Sequence, residues 1–113
     1  MNIEPRDVGD VRFLDCAGRF TLGEPAESFR KALSDSIAEG RTLIVANLEE
    51  VTYIDTAGIG ELVSGSVTLK LAGGQFRLLN PTKRTRDIVT ITRFHTHFAI
   101  LNDEAAAIRS FLK

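Results

Sequence analysis

The sequence is short of three things that often give a chain away: cysteine, net charge and long apolar runs. Cys16 is the single cysteine, so no intrachain disulfide framework can form, which fits a reducing compartment. Flanked by Asp15 and Ala17 in a strand-like segment, it reads as a small buried residue. The 14 Lys and Arg stand against 15 Asp and Glu, and a nearly neutral chain has no global field with which to recruit nucleic acid or an acidic membrane. Nowhere do about 18 apolar residues run together. Met1-Asn2-Ile3-Glu4-Pro5-Arg6-Asp7 lacks an apolar core of signal-peptide length. These absences lead us to expect a cytoplasmic protein with no membrane insertion and no direct nucleic-acid partner.

Catalytic and ligand-holding constellations are missing as well. Gly58 and Gly60 form a Gly-x-Gly, but no third glycine follows and no acidic residue stands at the ribose distance in a second βαβ unit. There is no Gly-x-x-x-x-Gly-Lys loop. Neither a Ser-His-Asp nor a Cys-His arrangement is evident, and the paired Glu49-Glu50 falls in a polar connection where exposure is expected. A receiver-like phosphoacceptor domain needs an acidic pair after its first core strand and a lysine after its last. Cys16-Ala17-Gly18 and Asn102-Asp103 occupy those places. His95 and His97, two apart, share one face of a strand, a spacing that could serve a metal. A third ligand is missing, so a satisfied or exposed pair is expected. The reading is therefore a protein that is not an enzyme, with no cofactor and no metal.

What is present is one domain of 113 residues, long enough to bury a core without disulfides or metal. An edge strand is expected around Asn2 to Arg6, with Pro5 tolerated at an edge. A turn follows at Asp7-Val8-Gly9-Asp10, then a second strand from Val11 to Ala17, with Gly18 marking a bulge or its end. Pro25 suits the first position of a helix that carries Phe29, Leu33 and Ile37 on one face and stops at Gly40. Leu43 to Ala46 is the apolar run of a central strand, and a short crossing segment leads from it to a second helix. Ile59, Leu62, Val63, Ser66, Val67 and Leu69 are placed inward on that helix, which ends at Gly73-Gly74. Gln75 to Leu79 is another strand. Asn80-Pro81 reads as the cap and first residue of a third helix through Arg93. That helix carries Lys83, Arg84 and Arg86 near the end where its dipole disfavours cations. With Arg93 they form a basic patch, read as a solvated face or as a steering surface for an acidic partner. A last strand from His97 to Leu101 and a closing helix from Asn102-Asp103-Glu104 complete the chain, the latter burying Ala105, Ile108 and Phe111 or Leu112. Strands alternating with helices predict an α/β fold: a mixed, mostly parallel sheet of four to five strands with about four helices.

The stretch from Leu43 to Gly60 organises the rest. Asp55 supplies a helix cap, accepting from orphan backbone N–H groups of the first turn, and Thr56 sits at the positive end of that helix. Gly58 and Gly60 each cost roughly 1 kcal/mol relative to alanine in a helix. A bare first turn on which another molecule could lie close to the backbone would account for them.

These residues carry a resemblance. The order of elements, the segment Leu43 to Gly60 and Gly73-Gly74-Gln75-Phe76 resemble a STAS domain, in particular the single-domain anti-sigma factor antagonists of bacteria. The family hallmark, hydrophobic-Asp-Ser-Ser-Gly-hydrophobic-Gly, corresponds here to Ile54-Asp55-Thr56-Ala57-Gly58-Ile59-Gly60. The resemblance covers Asn2 to Leu112 and implies the STAS-type fold. It also implies a partner, an anti-sigma factor with a serine/threonine kinase domain that phosphorylates the first serine position, here Thr56, with a phosphatase as a further partner. Threonine keeps a hydroxyl that can accept phosphate and is similar to what some stress-signalling scaffold members show. Ala57 removes the second hydroxyl. The implied contact surface is Asp55, Thr56, Ala57, Gly58, Gly60, Glu61 and Ser64, on a monomer or weak homodimer. The alternative implied by the same resemblance is an accessory subunit of an ABC-type lipid transporter, docked on the ATPase without phosphorylation, or a component of a stress-signalling scaffold.

Overall fold

The computed structural model describes residues 1–91 and 99–111. Its elements are β1 (Asn2–Val8), β2 (Val11–Phe20), α1 (Glu24–Ala38), β3 (Leu43–Ile54), α2 (Thr56–Leu71), β4 (Gln75–Leu79), α3 (Lys83–Ile91), β5 (Ala99–Leu101) and α4 (Glu104–Arg109). They form a five-stranded sheet in the order β1-β2-β3-β4-β5. Only the β1–β2 hairpin is antiparallel; the other three pairings are parallel. The expected mixed, mostly parallel α/β architecture is the one observed.

Apolar side chains divide the core in two. Leu14, Phe20, Ile44, Ala46 and Leu48 pack under α1 and α2 with Phe29, Leu33, Ile59, Leu62 and Leu69. Phe20, Phe29 and Phe76 form a chain of rings, with centroids 5.1 and 6.4 Å apart. On the opposite face Val11, Phe13, Val45 and Leu79 meet Ala107 and Phe111 from α4 and the residues after it. This alternation of Val45 against Ile44 and Ala46 is what a central strand covered on both faces requires.

Several boundaries differ from the expectations, each for a local reason. The crossing segment expected after Ala46 is strand: β3 continues to Ile54 because its far end pairs with a prolonged β2, Ala17 against Glu50 through Phe20 against Ile54. Gly18, at φ +108°, is a bulge and not an end; the register shifts on either side of it let β2 bend and go on. Glu49 and Glu50 are exposed, but on strand and not on a loop. Asn80-Pro81 does not cap α3: Asn80 takes φ 50° and its N–H donates to the Leu101 carbonyl at 3.0 Å. Thr82 caps instead, its hydroxyl accepting from the Thr85 N–H at 3.3 Å. In α4, capped by Asp103, Ala107 is buried and Ala105 is exposed. Arg93, His95, His97 and Leu112, which entered the readings of the third helix, the histidine pair and the closing helix, lie outside the described residues.

Candidate functional site

The end of β3 and the first turn of α2 are fastened to the end of β2 by one residue. Asp55 leaves the strand with extended backbone, φ −103° and ψ −176°, the geometry of a helix N-cap. One carboxylate oxygen accepts from the Gly58 N–H at 2.9 Å and the other from the Leu22 N–H at 3.0 Å. Its own N–H donates to the Phe20 carbonyl at 3.2 Å. The bonds from Gly58 and then Leu22 favour the charged form and hold the carboxyl below its usual range. So the cap expected from sequence also pins the chain that follows β2.

Thr56 is the first residue of α2 and is exposed. Its hydroxyl has no hydrogen-bond partner among the described residues. A free alcohol thus stands at the positive end of a helix, beside a carboxylate whose oxygens are already occupied.

The glycines part company. Gly60 is exposed, and a methyl group built there would meet nothing within 4 Å. Gly58 is buried: a methyl there would lie 2.7 Å from Ile54 Cγ1 and closer still to the Phe20 carbonyl oxygen. The expectation of a bare surface at Gly58 is corrected. Its missing side chain serves an intramolecular contact, letting α2 start directly against the end of β2. Ala57 is half-buried and Ser64 exposed. Glu61, expected to face a partner, is held in an ion pair by Arg30 of α1, and its side chain is only 15 % exposed.

Beyond this turn, an outward stripe of α2 runs Thr56, Gly60, Ser64, Val67 and Leu71 at helical spacing. Val67 was expected inward, yet it is 45 % exposed and Leu71 85 %. Gly65 takes the buried place instead, because a larger residue would press on Leu33 of α1. Leu22, 78 % exposed and tied to Asp55, belongs to the same surface. The sequence signal for this stripe was available: continuing from Thr56 in steps of three and four reaches Val67 and Leu71. A groove of about 600 Å³ between α1 and α2, lined by Phe29, Leu33, Ile37 and Ser64 among others, lies alongside.

Among the described residues, no group of three or more His, Cys, Asp or Glu side chains could hold a metal ion, and no helix is long and apolar enough to cross a membrane. Cys16 is buried, and burial pushes its thiol up to about 12.

The model of the STAS domain matches residues 6–107. A Thermotoga maritima protein described as a candidate anti-sigma factor antagonist superposes with a TM-score of 0.90 at 22 % identity, over 98 % of this chain and 95 % of the other. The Bacillus cell fate determinant SpoIIAA, in its phosphorylated form, gives 0.75 at 22 % identity over 96 % and 99 %. An anti-sigma factor antagonist from Mycobacterium paratuberculosis gives 0.84 at 17 % identity over 99 % and 94 %. At such identities the likeness is one of fold. Among curated proteins, none matches the chain in sequence.

Proposed function

The chain belongs to the STAS domain family, and on that premise we propose that it is an anti-sigma factor antagonist that works by partner switching. In its unphosphorylated form it binds an anti-sigma factor carrying a serine/threonine kinase domain, keeping that factor from its sigma factor. Phosphorylation of Thr56 releases it. It acts as a binding module and catalyses nothing itself.

One observation carries this reading: the Thr56 hydroxyl is exposed and unpartnered at the head of α2. The existence of SpoIIAA, a protein of the same fold, in unphosphorylated and phosphorylated forms supports a switch of this kind. A phosphate on Thr56 would add about −1.5 to −2 charge and three strong acceptors. At a helix N-terminus this is tolerated by the domain, so its effect falls on whatever docks over Thr56, Ala57, Gly60 and Ser64. There a dianion must be desolvated or repelled. A loss of roughly 3 kcal/mol of docking energy would weaken the complex about a hundredfold. Asp55 orients the helix end, Gly58 sits beneath the surface, and Glu61 joins through its pair with Arg30.

The test is to incubate the protein with candidate kinases and magnesium ATP and map the phosphorylated residue by mass spectrometry. Modification at Thr56, lost in Thr56→Ala and accompanied by release of the kinase, is the expected result. Phosphate found only at other residues, or none with any cognate kinase, would refute the proposal.

A further inference from the structure

Arg19 and Tyr53 are register partners on β2 and β3. The next residues on each strand, Phe20 and Ile54, are buried under α1 and α2, so Arg19 and Tyr53 face away from that core. The guanidinium carbon of Arg19 lies 4.5 Å from the Tyr53 ring centroid, and that of Arg84, from the first turn of α3, lies 5.2 Å from the same centroid. Both arginines are exposed and the ring is half-buried. Arg6, Arg12, Arg30, Arg41, Lys31 and Lys83 each pair with a carboxylate. Arg19 and Arg84 pair with none among the described residues.

Among the described residues, the surroundings answer these two charges with the Tyr53 ring and with no carboxylate. The first turn of α3 has no acidic residue, so Arg84 stands at a helix end where cations are disfavoured. Its neighbours are answered: Lys83 by Asp87 at 2.9 Å, and Arg86 by the Asn102 side chain at 3.0 Å. Arg84 meets the Tyr53 ring but no carboxylate among the described residues, and a second such cation, Arg19, is gathered onto the same ring. The place is the carboxyl end of β2 and β3, where open α/β sheets take ligands. An external anion would offset both charges at once.

We propose that Arg19, Tyr53 and Arg84 form a receptor for a phosphate monoester dianion. Two guanidinium forks present a charge of about +2 and many N–H donors. A phosphate monoester brings about −1.5 to −2 and three acceptor oxygens, enough to engage both forks. A carboxylate has two oxygens, which a single fork satisfies. The phosphate can come from Thr56 of the same chain, three residues after Tyr53 and at most about 11 Å along the backbone, or from a group carried by another molecule. The first source rests on the function proposed above; the second does not.

The experiment has two arms. In the first, phosphothreonine is installed at position 56 by chemical ligation and the second ionisation of the phosphate is followed by phosphorus NMR. Its pKa is expected to lie about 1 unit below that in the Arg19→Gln/Arg84→Gln variant; the helix dipole acts on both proteins and cancels. In the second, phenyl phosphate is titrated into unmodified protein, and the arginine Nε–H and Tyr53 ring signals are expected to move saturably, with no movement in the double variant. A response in the first arm assigns the receptor to the chain's own phosphate, in the second to a delivered one. Should the glutamine variant lose its fold, Arg19→Lys/Arg84→Lys keeps the charges, removes the forks and is expected to halve the response. No response in either arm overturns the proposal. Because ligation bypasses any kinase, that failure would leave phosphorylation of Thr56 as a separate question.

Discussion

Exchanging Gly58 for alanine adds one methyl group to the first turn of α2, and its surroundings leave it no room. The methyl would lie 2.7 Å from Ile54 Cγ1, 3.0 Å from Phe20 Cδ1 and nearer still to the Phe20 carbonyl oxygen. That carbonyl cannot swing aside without losing the bond it accepts from the Asp55 N–H at 3.2 Å. Phe20 and Ile54 are 0 % and 1 % exposed, so neither side chain has free space to enter. Overpacking of this kind costs about 1–3 kcal/mol, and with backbone involved the upper end applies. Alanine's better helix propensity returns about 1 kcal/mol. The expected net loss is therefore about 2 kcal/mol, or roughly 8 °C in melting temperature for a domain of this size. Gly60→Ala supplies the internal control. With nothing within 4 Å of the added methyl, only the propensity gain remains and the protein should be up to about 1 kcal/mol more stable. Urea denaturation followed by helix circular dichroism measures both. A Gly58→Ala midpoint equal to or above that of the parent would refute the packing argument.

Two further perturbations test the cap and the core. Asp55→Ala removes acceptors for both Gly58 and Leu22 and should cost about 1–2 kcal/mol by urea denaturation. Asp55→Asn can still accept at the cap but cannot ionise. The Asp55 carboxyl is lowered in the folded protein from an ordinary 3.8, so its stabilising contribution is complete above that value and fades as pH falls through the lower folded one. Asp15, lowered by its bond from Arg6, contributes in the same direction. The asparagine variant should therefore lose less stability than the parent between about pH 5 and pH 2, and an equal loss would rule out Asp55 as a contributor. Cys16, 2 % exposed with its thiol pushed up to about 12, should react with a thiol reagent only through unfolding. Labelling of the native protein at the rate of a free cysteine would contradict that.

How much of this could be read beforehand depended on how local each cause was. The Asp55 cap and α2's start, the ending of α1 near Gly40, and β4 from Gln75 to Leu79 follow from the residues at those places, and the sequence reading located them. The length of β3 did not follow, because nothing in Glu49-Glu50 announces a strand. What makes it one is a partner, the stretch of β2 beyond Gly18, whose bulge realigns the two chains. Gly58 was misjudged for a similar reason. A glycine in a helix signals that something comes close, but whether that is a visitor or the protein's own backbone depends on Phe20, far away in sequence. Thr82 was overlooked because Asn80-Pro81 is the stronger local cap signal, and the pull of Leu101 on the Asn80 N–H overrode it. Arg19 and Arg84 could not have been joined at all without Tyr53 between them.

The same long-range ties separate the proposed switch from the stability of the fold. Asp55 is anchored twice to the end of β2, and Gly58 lets α2 press against Phe20, so the first turn of α2 is held from below. Thr56 is exposed just above these contacts and takes part in none of them. A dianion there gains about 0.3–1 kcal/mol from the helix end and is opposed by the neighbouring carboxylate of Asp55, two terms of similar size and opposite sign in high-dielectric surroundings. Where the phosphate stays clear of Arg19 and Arg84, domain stability should then change by less than about 1 kcal/mol, while a partner surface laid over Thr56 would meet the whole charge at low dielectric. On the proposed reading, modification would change what the protein binds while leaving its folded state in place.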